Sequence, residues 1–296
     1  MRPSPAVTNV TNSWSIRSTP EMSSEQFELW KTLLEERTGM TLHPERKPFL
    51  ENSLAVRMRE LALDDYDHYY QQLVAGSTGA KAMEWSVLVD RLTVQETSFF
   101  RHPGSYALVE EYVQRFIDER PPKSSLDVWS VGCSTGEEPY SLAMVISEQF
   151  QARKSSDYYG ITATDISLPT LAKARKAIYG SRKVERIDPA LRERYFRQLN
   201  EREYQVQDAL RDRVCFARLN VLDLQQAPIR DMDIIFCQNM LIYFRRWRKR
   251  QIVTRLAEKL APGGMLVLGA GEITDWHHPD LERVHFADAL AFRRCR

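Results

Sequence analysis

A short apolar run, Leu126 to Val131, leads straight into Gly132-Cys133-Ser134-Thr135-Gly136, and from there into Glu137, Glu138 and a helical stretch through Pro139 to Gln149. Few folds accept a strand that passes through two glycines into a helix with no spacer. The glycines let the backbone turn sharply and let a ligand approach it closely, while the first amides of the helix have no partners inside it. After Ser125 the alternation recurs, with apolar runs at Leu126 to Val131, Tyr158 to Ala163, Val214 to Leu219, Asp233 to Cys237 and Met265 to Gly269, most of them separated by helical stretches. This is the pattern of βαβ units, so the second half is expected to be α/β, a parallel sheet with helices on both faces. Leu281 to Arg294, with Val284, Phe286, Ala289 and Phe292, reads as an antiparallel hairpin at the sheet edge.

Nothing before Ser125 reads as strand. Phe27, Trp30, Leu33 and Leu34 fall at helical spacing, Ser23 with Gln26 forms a capping box, and Gly39 stands where a C′ residue belongs. A second helix is expected over about Pro44 to Leu63, with Leu50, Leu54, Met58 and Leu61 on one face. Its charges include Arg46, Lys47, Arg57 and Arg59, which on their own read as a solvated face. Asp64 and Asp65 start a third helix that Gly76 ends, and a fourth runs near Ala80 to Leu92. The chain therefore divides into a disordered tail over residues 1–20, where three prolines and no apolar period leave little to bury, a helical domain over 21–92, a linker over 93–125 and an α/β domain over 126–296.

Composition narrows the function further. At 296 residues, 43% hydrophobic and 27% charged, the chain is globular with room for about two domains. Its 41 basic against 40 acidic residues leave a formal charge of +1, which provides no global field for a nucleic acid or an anionic membrane. It has neither a long apolar run nor a signal-peptide core, so a cytoplasmic protein without membrane insertion is expected. Cys133, Cys215, Cys237 and Cys295 make no C-x-x-C pair and stand at no zinc spacing, so neither a disulfide framework nor a metal is expected.

The glycine turn is G-x-x-x-G rather than G-x-G-x-x-G, and two carboxylates crowd the helix start where a pyrophosphate would want positive potential. Carboxylates there suit a cationic ligand with hydroxyls to hold, and S-adenosylmethionine carries a sulfonium, an ammonium and a ribose. The other reading of this turn alone is an ordinary βα connection whose acids answer the helix dipole. Further polar groups follow the next strands: Asp165 after Tyr159 to Thr164, Asn220-Val221-Leu222-Asp223 after the third run, and Gln238-Asn239 after the fourth. They share the edge along which open α/β sheets bind ligands. Together these features favour a class I S-adenosylmethionine-dependent methyltransferase domain, Rossmann-like, preceded by a small all-helical domain, over an NAD enzyme.

Four longer segments then carry a specific resemblance. They are Thr93-Val94-Gln95-Glu96-Thr97-Ser98-Phe99-Phe100-Arg101; Val128-Trp129-Ser130 through Gly136-Glu137-Glu138-Pro139-Tyr140-Ser141; Ala163-Thr164-Asp165-Ile166; and Ile235-Phe236-Cys237-Gln238-Asn239-Met240-Leu241-Ile242-Tyr243-Phe244. In these the chain resembles the CheR-type chemoreceptor glutamate methyltransferases from about Glu21 to Arg294. The resemblance implies methyl transfer from S-adenosylmethionine to glutamate side chains on the helical cytoplasmic domain of a chemoreceptor, leaving γ-glutamyl methyl esters and S-adenosylhomocysteine. Such chemistry needs no general base, because a glutamate with an ordinary pKa of about 4.3 is already ionised at neutral pH.

By matching position, the resemblance implies that Gln95, Thr97 and Arg101 in the linker contact the cofactor, with Arg101 on its carboxylate or near the acceptor. Gly132 belongs to the same site. Glu137 is expected at the cofactor's amino-acid end, Asp165 on the ribose hydroxyls, Asn220 and Val221 beside the adenine, and Gln238 and Asn239 by the methionine part. Arg101 and Tyr243 are the expected catalytic pair, Tyr243 orienting the acceptor carboxylate; without the family, Tyr243 and Phe244 also read as core packing. Arg57 and Arg59 are expected to meet the acidic receptor bundle, together with a small β insertion near residues 178–213, where nine basic residues face seven acids. The expected partner is thus the receptor's cytoplasmic helices, with no nucleic acid, and the expected state is a monomer in the cytoplasm recruited to membrane receptor arrays.

Three positions depart from the family pattern. Gln95 stands where asparagine is common, Gln238 where arginine is common, and Gly269-Ala270-Gly271-Glu272 where Gly-His-Ser-Glu is common. They keep open a non-catalytic receptor-binding module that retains the cofactor fold, beside a methyltransferase for another substrate. The basic run Arg245, Arg246, Arg248, Lys249 and Arg250 around Trp247 is read as a helix start with one buried indole, in preference to a nucleic-acid or membrane patch.

Overall fold

The computed structural model describes residues 20–75, 79–93 and 95–295. The expected tail, apart from Pro20, lies outside them, as do Gly76 and Val94. The first domain is helical. Helix α1 (Ser24–Thr38) starts with Ser23 and Gln26 capping each other and ends at Gly39 with φ 75°. The single second helix expected from Pro44 is instead a 3-10 turn, Pro44–Arg46, followed by α2 (Lys47–Glu60). It stops early because Ala62 turns left-handed, with φ 55°. Asp65 caps α3 (Tyr66–Val74) through the amides of Asp67 and His68, and α4 (Gly79–Leu92) completes the bundle. The core is built on Trp30, Leu50, Leu54, Met58, Tyr66, Tyr69 and Leu88, all buried, with the Trp30 ring 5.3 Å from that of Tyr69.

The linker leads into α5 (Pro103–Glu119), and the sheet begins with β1 (Ser125–Val131), α6 (Glu137–Ala152), β2 (Tyr158–Asp165) and α7 (Leu168–Lys176). An insertion follows, comprising β3 (Ile178–Gly180), α8 (Ser181–Val184), α9 (Pro189–Tyr195), β4 (Phe196–Asn200), β5 (Glu203–Val206) and α10 (Asp208–Arg211). Its strands form a separate antiparallel sheet in the order β3-β5-β4. The main sheet resumes with β6 (Val214–Arg218), β7 (Met232–Cys237), α11 (Arg246–Ala257) and β8 (Leu260–Leu268), and closes with the antiparallel pair β9 (Leu281–Phe286) and β10 (Ala289–Arg294).

The seven main strands lie in the order β6-β2-β1-β7-β8-β10-β9, with β1 parallel to both β2 and β7. The chain therefore runs outward from β1 to one side and returns to the other. Where the order reverses, the carboxyl ends of β1 and β7 separate and leave a crevice. Strand β7 is buried along its whole length, as a central parallel strand must be. The insertion is tied to this edge by Phe99, whose ring meets Tyr179 edge-on at 4.9 Å and Phe196 at 5.4 Å.

The helical domain closes over the crevice through polar contacts. The Thr41 amide donates to the Tyr243 carbonyl at 2.7 Å, the Asn220 side chain donates to the Arg37 carbonyl at 2.8 Å, and Arg245 pairs with Glu35 at 2.9 Å. Asp90, on α4, accepts from the Ser167 hydroxyl at the start of α7, from Thr170 at 2.8 Å and from the Gln95 amide at 2.7 Å. One carboxylate thus joins the helical domain, the linker and the α/β domain. Asp90→Ala leaves three donors without their acceptor, at a cost of about 2 kcal/mol. Calorimetric unfolding should show Tm about 5 °C lower than wild type; an unchanged Tm would mean that the junction does not depend on Asp90.

Candidate active site

The turn after β1 is shaped by left-handed residues: Gly132 at φ 76°, Ser134 at φ 48° and Gly136 at φ 95°. The amides of Gly132 and Cys133 both donate to the Thr164 carbonyl, at 2.8 and 3.0 Å, which fastens the turn to the end of β2. Two of these positions exclude a side chain on space as well as on φ. A Cβ on Gly132 would stand 3.1 Å from Met240, and one on Gly136 would stand 2.9 Å from the Tyr179 hydroxyl. Asp165 takes the next amide of the turn, accepting from Ser134 N on Oδ2 and from Ser167 N on Oδ1, both at 2.9 Å. Burial raises its pKa and these hydrogen bonds pull it back. Its carboxylate lines the cleft at the end of β2.

Glu137 was expected in this cleft and is not there. It is fully buried as the first residue of α6, where its carboxylate accepts from the Thr135 hydroxyl at 2.6 Å and pairs with Lys183 of the insertion. One residue along the helix is a rotation of about 100°, and that rotation turns Glu138 toward the cleft. Glu138 accepts from the Ser130 hydroxyl at 2.7 Å, and burial, with Glu272 nearby, pushes its pKa up to about 8. The sequence offers two adjacent acids, and only the phase of the helix distinguishes them.

The facing wall follows β7. Asn239 holds φ at 58°, and its amide donates to Glu272 Oε2 at 3.1 Å; the same carboxylate accepts from Gly269 N at 3.0 Å and, through Oε1, from Ile242 N at 3.3 Å. A Cβ on Gly269 would lie 2.2 Å from that oxygen, so glycine is required there. His102 meets the Asn239 side-chain oxygen at 2.8 Å and lines the cleft; nothing in the sequence pattern singled it out. Gln238 is buried and donates to the Ser105 hydroxyl at 2.6 Å and the Leu268 carbonyl at 3.3 Å, while Gln95 is held by Asp90. Both amides are thus tied into the protein framework.

The cleft, with its open mouth, takes in about 1080 Å³ of space between the two domains. Gln95, Thr97, Arg101, Gly132, Asp165, Asn220, Val221, Gln238, Asn239 and Tyr243 all line it. Thr38 and Met40 of the helical domain complete it, a contribution that periodicity could not reveal because it depends on how the two domains meet. Arg101 donates to the Glu96 carbonyl at 3.0 Å and stays exposed, and burial raises the pKa of the half-buried Tyr243. Arg57 and Arg59 lie elsewhere, on α2. Two residues apart, they lie about 160° apart around the helix axis. Arg57 is held by Glu84 and Glu60 inside the helical domain, so it is not the free cation expected of a docking face; Arg59 is exposed.

A mixed sheet whose parallel strands reverse their order at a glycine turn, with a carboxylate at the end of the neighbouring strand and an antiparallel strand, β10, against β8, is the architecture of a class I S-adenosylmethionine-dependent methyltransferase. Residues 95–290 match the CheR methyltransferase, SAM binding domain family, and residues 25–93 the CheR methyltransferase, all-alpha domain family. The chain belongs to the CheR methyltransferase family. The chemotaxis protein methyltransferase of Escherichia coli (strain K12) is 31% identical over 254 residues, 85% of each chain. Chemotaxis protein methyltransferase 1 of Pseudomonas aeruginosa is 32% identical over 253 residues, 84% of this chain and 90% of that one. From the same organism, "Probable biofilm formation methyltransferase WspC" is 30% identical over 90% of this chain and 61% of its own length. No helix among the described residues is long and apolar enough to cross a membrane.

The residues present fit the cofactor, since the carboxylates of Asp165 and Glu138 line the cleft and would suit a ligand that carries positive charge and a diol, beside a turn whose two glycines bring the backbone close. Glu138 should make binding pH-dependent. Its pKa near 8 leaves it mostly neutral at pH 6, and a cationic ligand favours the ionised form. The affinity of wild type for S-adenosylmethionine, relative to Glu138→Gln, should therefore rise several-fold per pH unit from about 6 to 8 and level above that. Calorimetric titration of both proteins across this range checks it, and parallel profiles would remove Glu138 from the site.

Proposed function

We propose that this chain transfers the methyl group of S-adenosylmethionine to glutamate side chains on the helical cytoplasmic domain of a chemoreceptor, setting the receptor's adaptation state. It acts in the cytoplasm as a monomer recruited to receptor arrays and takes no nucleic acid. The observation that carries this reading is one cleft that brings together the carboxylates of Asp165, at the end of β2, and Glu138, at the start of α6, with Arg101 and the Tyr243 hydroxyl, Arg101 standing in the linker with Glu96. The first pair suits a cationic cofactor and the second an anionic acceptor.

When bound, the cofactor supplies an electrophilic methyl group on a sulfonium. The protein's part is to hold and align. Asp165 would hold the ribose hydroxyls, Glu138 and Asn239 the amino-acid end, and Asn220 and Val221 the adenine, while Thr97 and Gln95 close the linker side. Tyr243, its pKa raised by burial, stays protonated at neutral pH and can donate a hydrogen bond to the acceptor carboxylate. Arg101 would offset the acceptor's charge as it approaches. An ionised glutamate needs no base, so positioning supplies most of the rate. The chemotaxis names of the relatives support the receptor as substrate.

The test is transfer of labelled methyl to purified chemoreceptor cytoplasmic fragments, scored as base-labile ester. Asp165→Ala should weaken cofactor binding at least tenfold, and Tyr243→Phe should lower kcat about tenfold while cofactor affinity holds. Label on a small molecule or a nucleic acid, with none on any receptor fragment, would overturn the assignment.

A further inference from the structure

Helix α11 begins against the usual preferences of a helix. Its N-cap, Arg245, makes no side-chain capping bond, its first turn carries no acid, and Arg246, Arg248, Lys249 and Arg250 crowd the end where the dipole is already positive. The indole expected to be buried here is not. Trp247 is 57% exposed with the Arg248 guanidinium 4.1 Å from its ring, and Ile242, just before the helix, is 55% exposed. Single exposed apolar residues need no explanation, but two large ones among five cations mark a surface shaped for contact.

That surface adjoins the active site. A groove is lined by Ile242, Phe244, Arg245, Arg246 and Lys249, by Thr41 and His43 of the helical domain, and by the segment at Glu272, whose carboxylate is taken up by three backbone amides and whose carbonyl accepts from Lys249. Phe244 lines both this groove and the cofactor cleft, and Tyr243 beside it lines the cleft. The pairs that Arg245 makes with Glu35 and Arg246 with Asp275 are solvent-exposed on the arginine side, so they are weak and exchangeable for a partner's carboxylates.

We propose that this groove docks an acidic amphipathic helix of the substrate protein, with its carboxylates against Arg245, Arg246 and Lys249 and its apolar stripe on Ile242 in the groove and on the exposed Trp247, which follows Arg246 on α11 outside the groove's lining. This rests on the reading of the chain as a receptor glutamate methyltransferase. Charge complementarity and continuity with the cleft carry it: Phe244 lines both, so a helix seated in the groove lies beside the opening that Tyr243 lines. A nucleic-acid backbone would use the cations and leave Ile242 and Trp247 in water.

The experiment is steady-state methylation of the purified cytoplasmic fragments of every chemoreceptor encoded in the same genome, at varied fragment concentration and two salt concentrations. It compares wild type with Trp247→Ala and Arg246→Glu, with cofactor Kd and Tm measured for each. In both variants KM for the fragment should rise about tenfold, with kcat at saturation within about twofold and cofactor Kd unchanged. The salt dependence of KM should also flatten in Arg246→Glu. An active wild type whose KM is unmoved by both substitutions, or a fall in kcat without a change in KM, overturns the docking groove alone. A wild type that binds cofactor and methylates none of the fragments overturns the receptor reading and the groove with it.

Discussion

Parallel pairing of β1 with β2 on one side and β7 on the other is the constraint on which the rest of the molecule depends. A parallel pair cannot be joined by a hairpin, so β1 reaches β2 through α6, and the chain runs outward to β6 before it crosses back to β7 on the other side of β1. The crevice where β1 and β7 part is a place where backbone amides and strand-end side chains converge with nothing of the sheet above them. Gly132 and Gly136 keep it open, Asp165 occupies the end of β2, and Asn239 is held left-handed at the end of β7 by three amides gathered on Glu272. The linker and the helical domain then roof a site whose floor is already determined.

The charges of that site follow from the same geometry. Carboxylates on the sheet edge are drawn out of water by the roof, which is why Glu138 and Asp165 both titrate above their usual range. Arg101 stands at the mouth with Glu96, where solvent reaches both.

Much of this was legible in the sequence, and the parts that were not have physical reasons. Each central strand announces itself as a short apolar run because it is buried on both faces, and each polar strand end follows directly from that. The capping box at Ser23 and Gln26 is likewise a local signal for a local structure. Glu137 and Glu138 could not be separated, since a helix that starts within a turn has no phase until the turn is built. The involvement of Thr38, Met40 and His102, and of Asp90 beneath them, depends on how two domains meet, and no local period encodes that. Trp247 was misjudged for a related reason: an aromatic residue among cations reads as a core anchor unless the packed face of α11, Ile252, Val253 and Leu256, is already known to lie on the other side.

The pairing of Lys183 with the buried Glu137 bears on how this enzyme can be varied. The insertion looks detachable, a small sheet strung between β2 and β6, yet it supplies Lys183 as a partner to a carboxylate that has no access to water. An unpaired charge at that depth is costly, so the insertion and the glycine turn are bound to change together. Exchanging this module between relatives, in nature or by recombination, therefore succeeds only when the lysine and the glutamate travel as a unit.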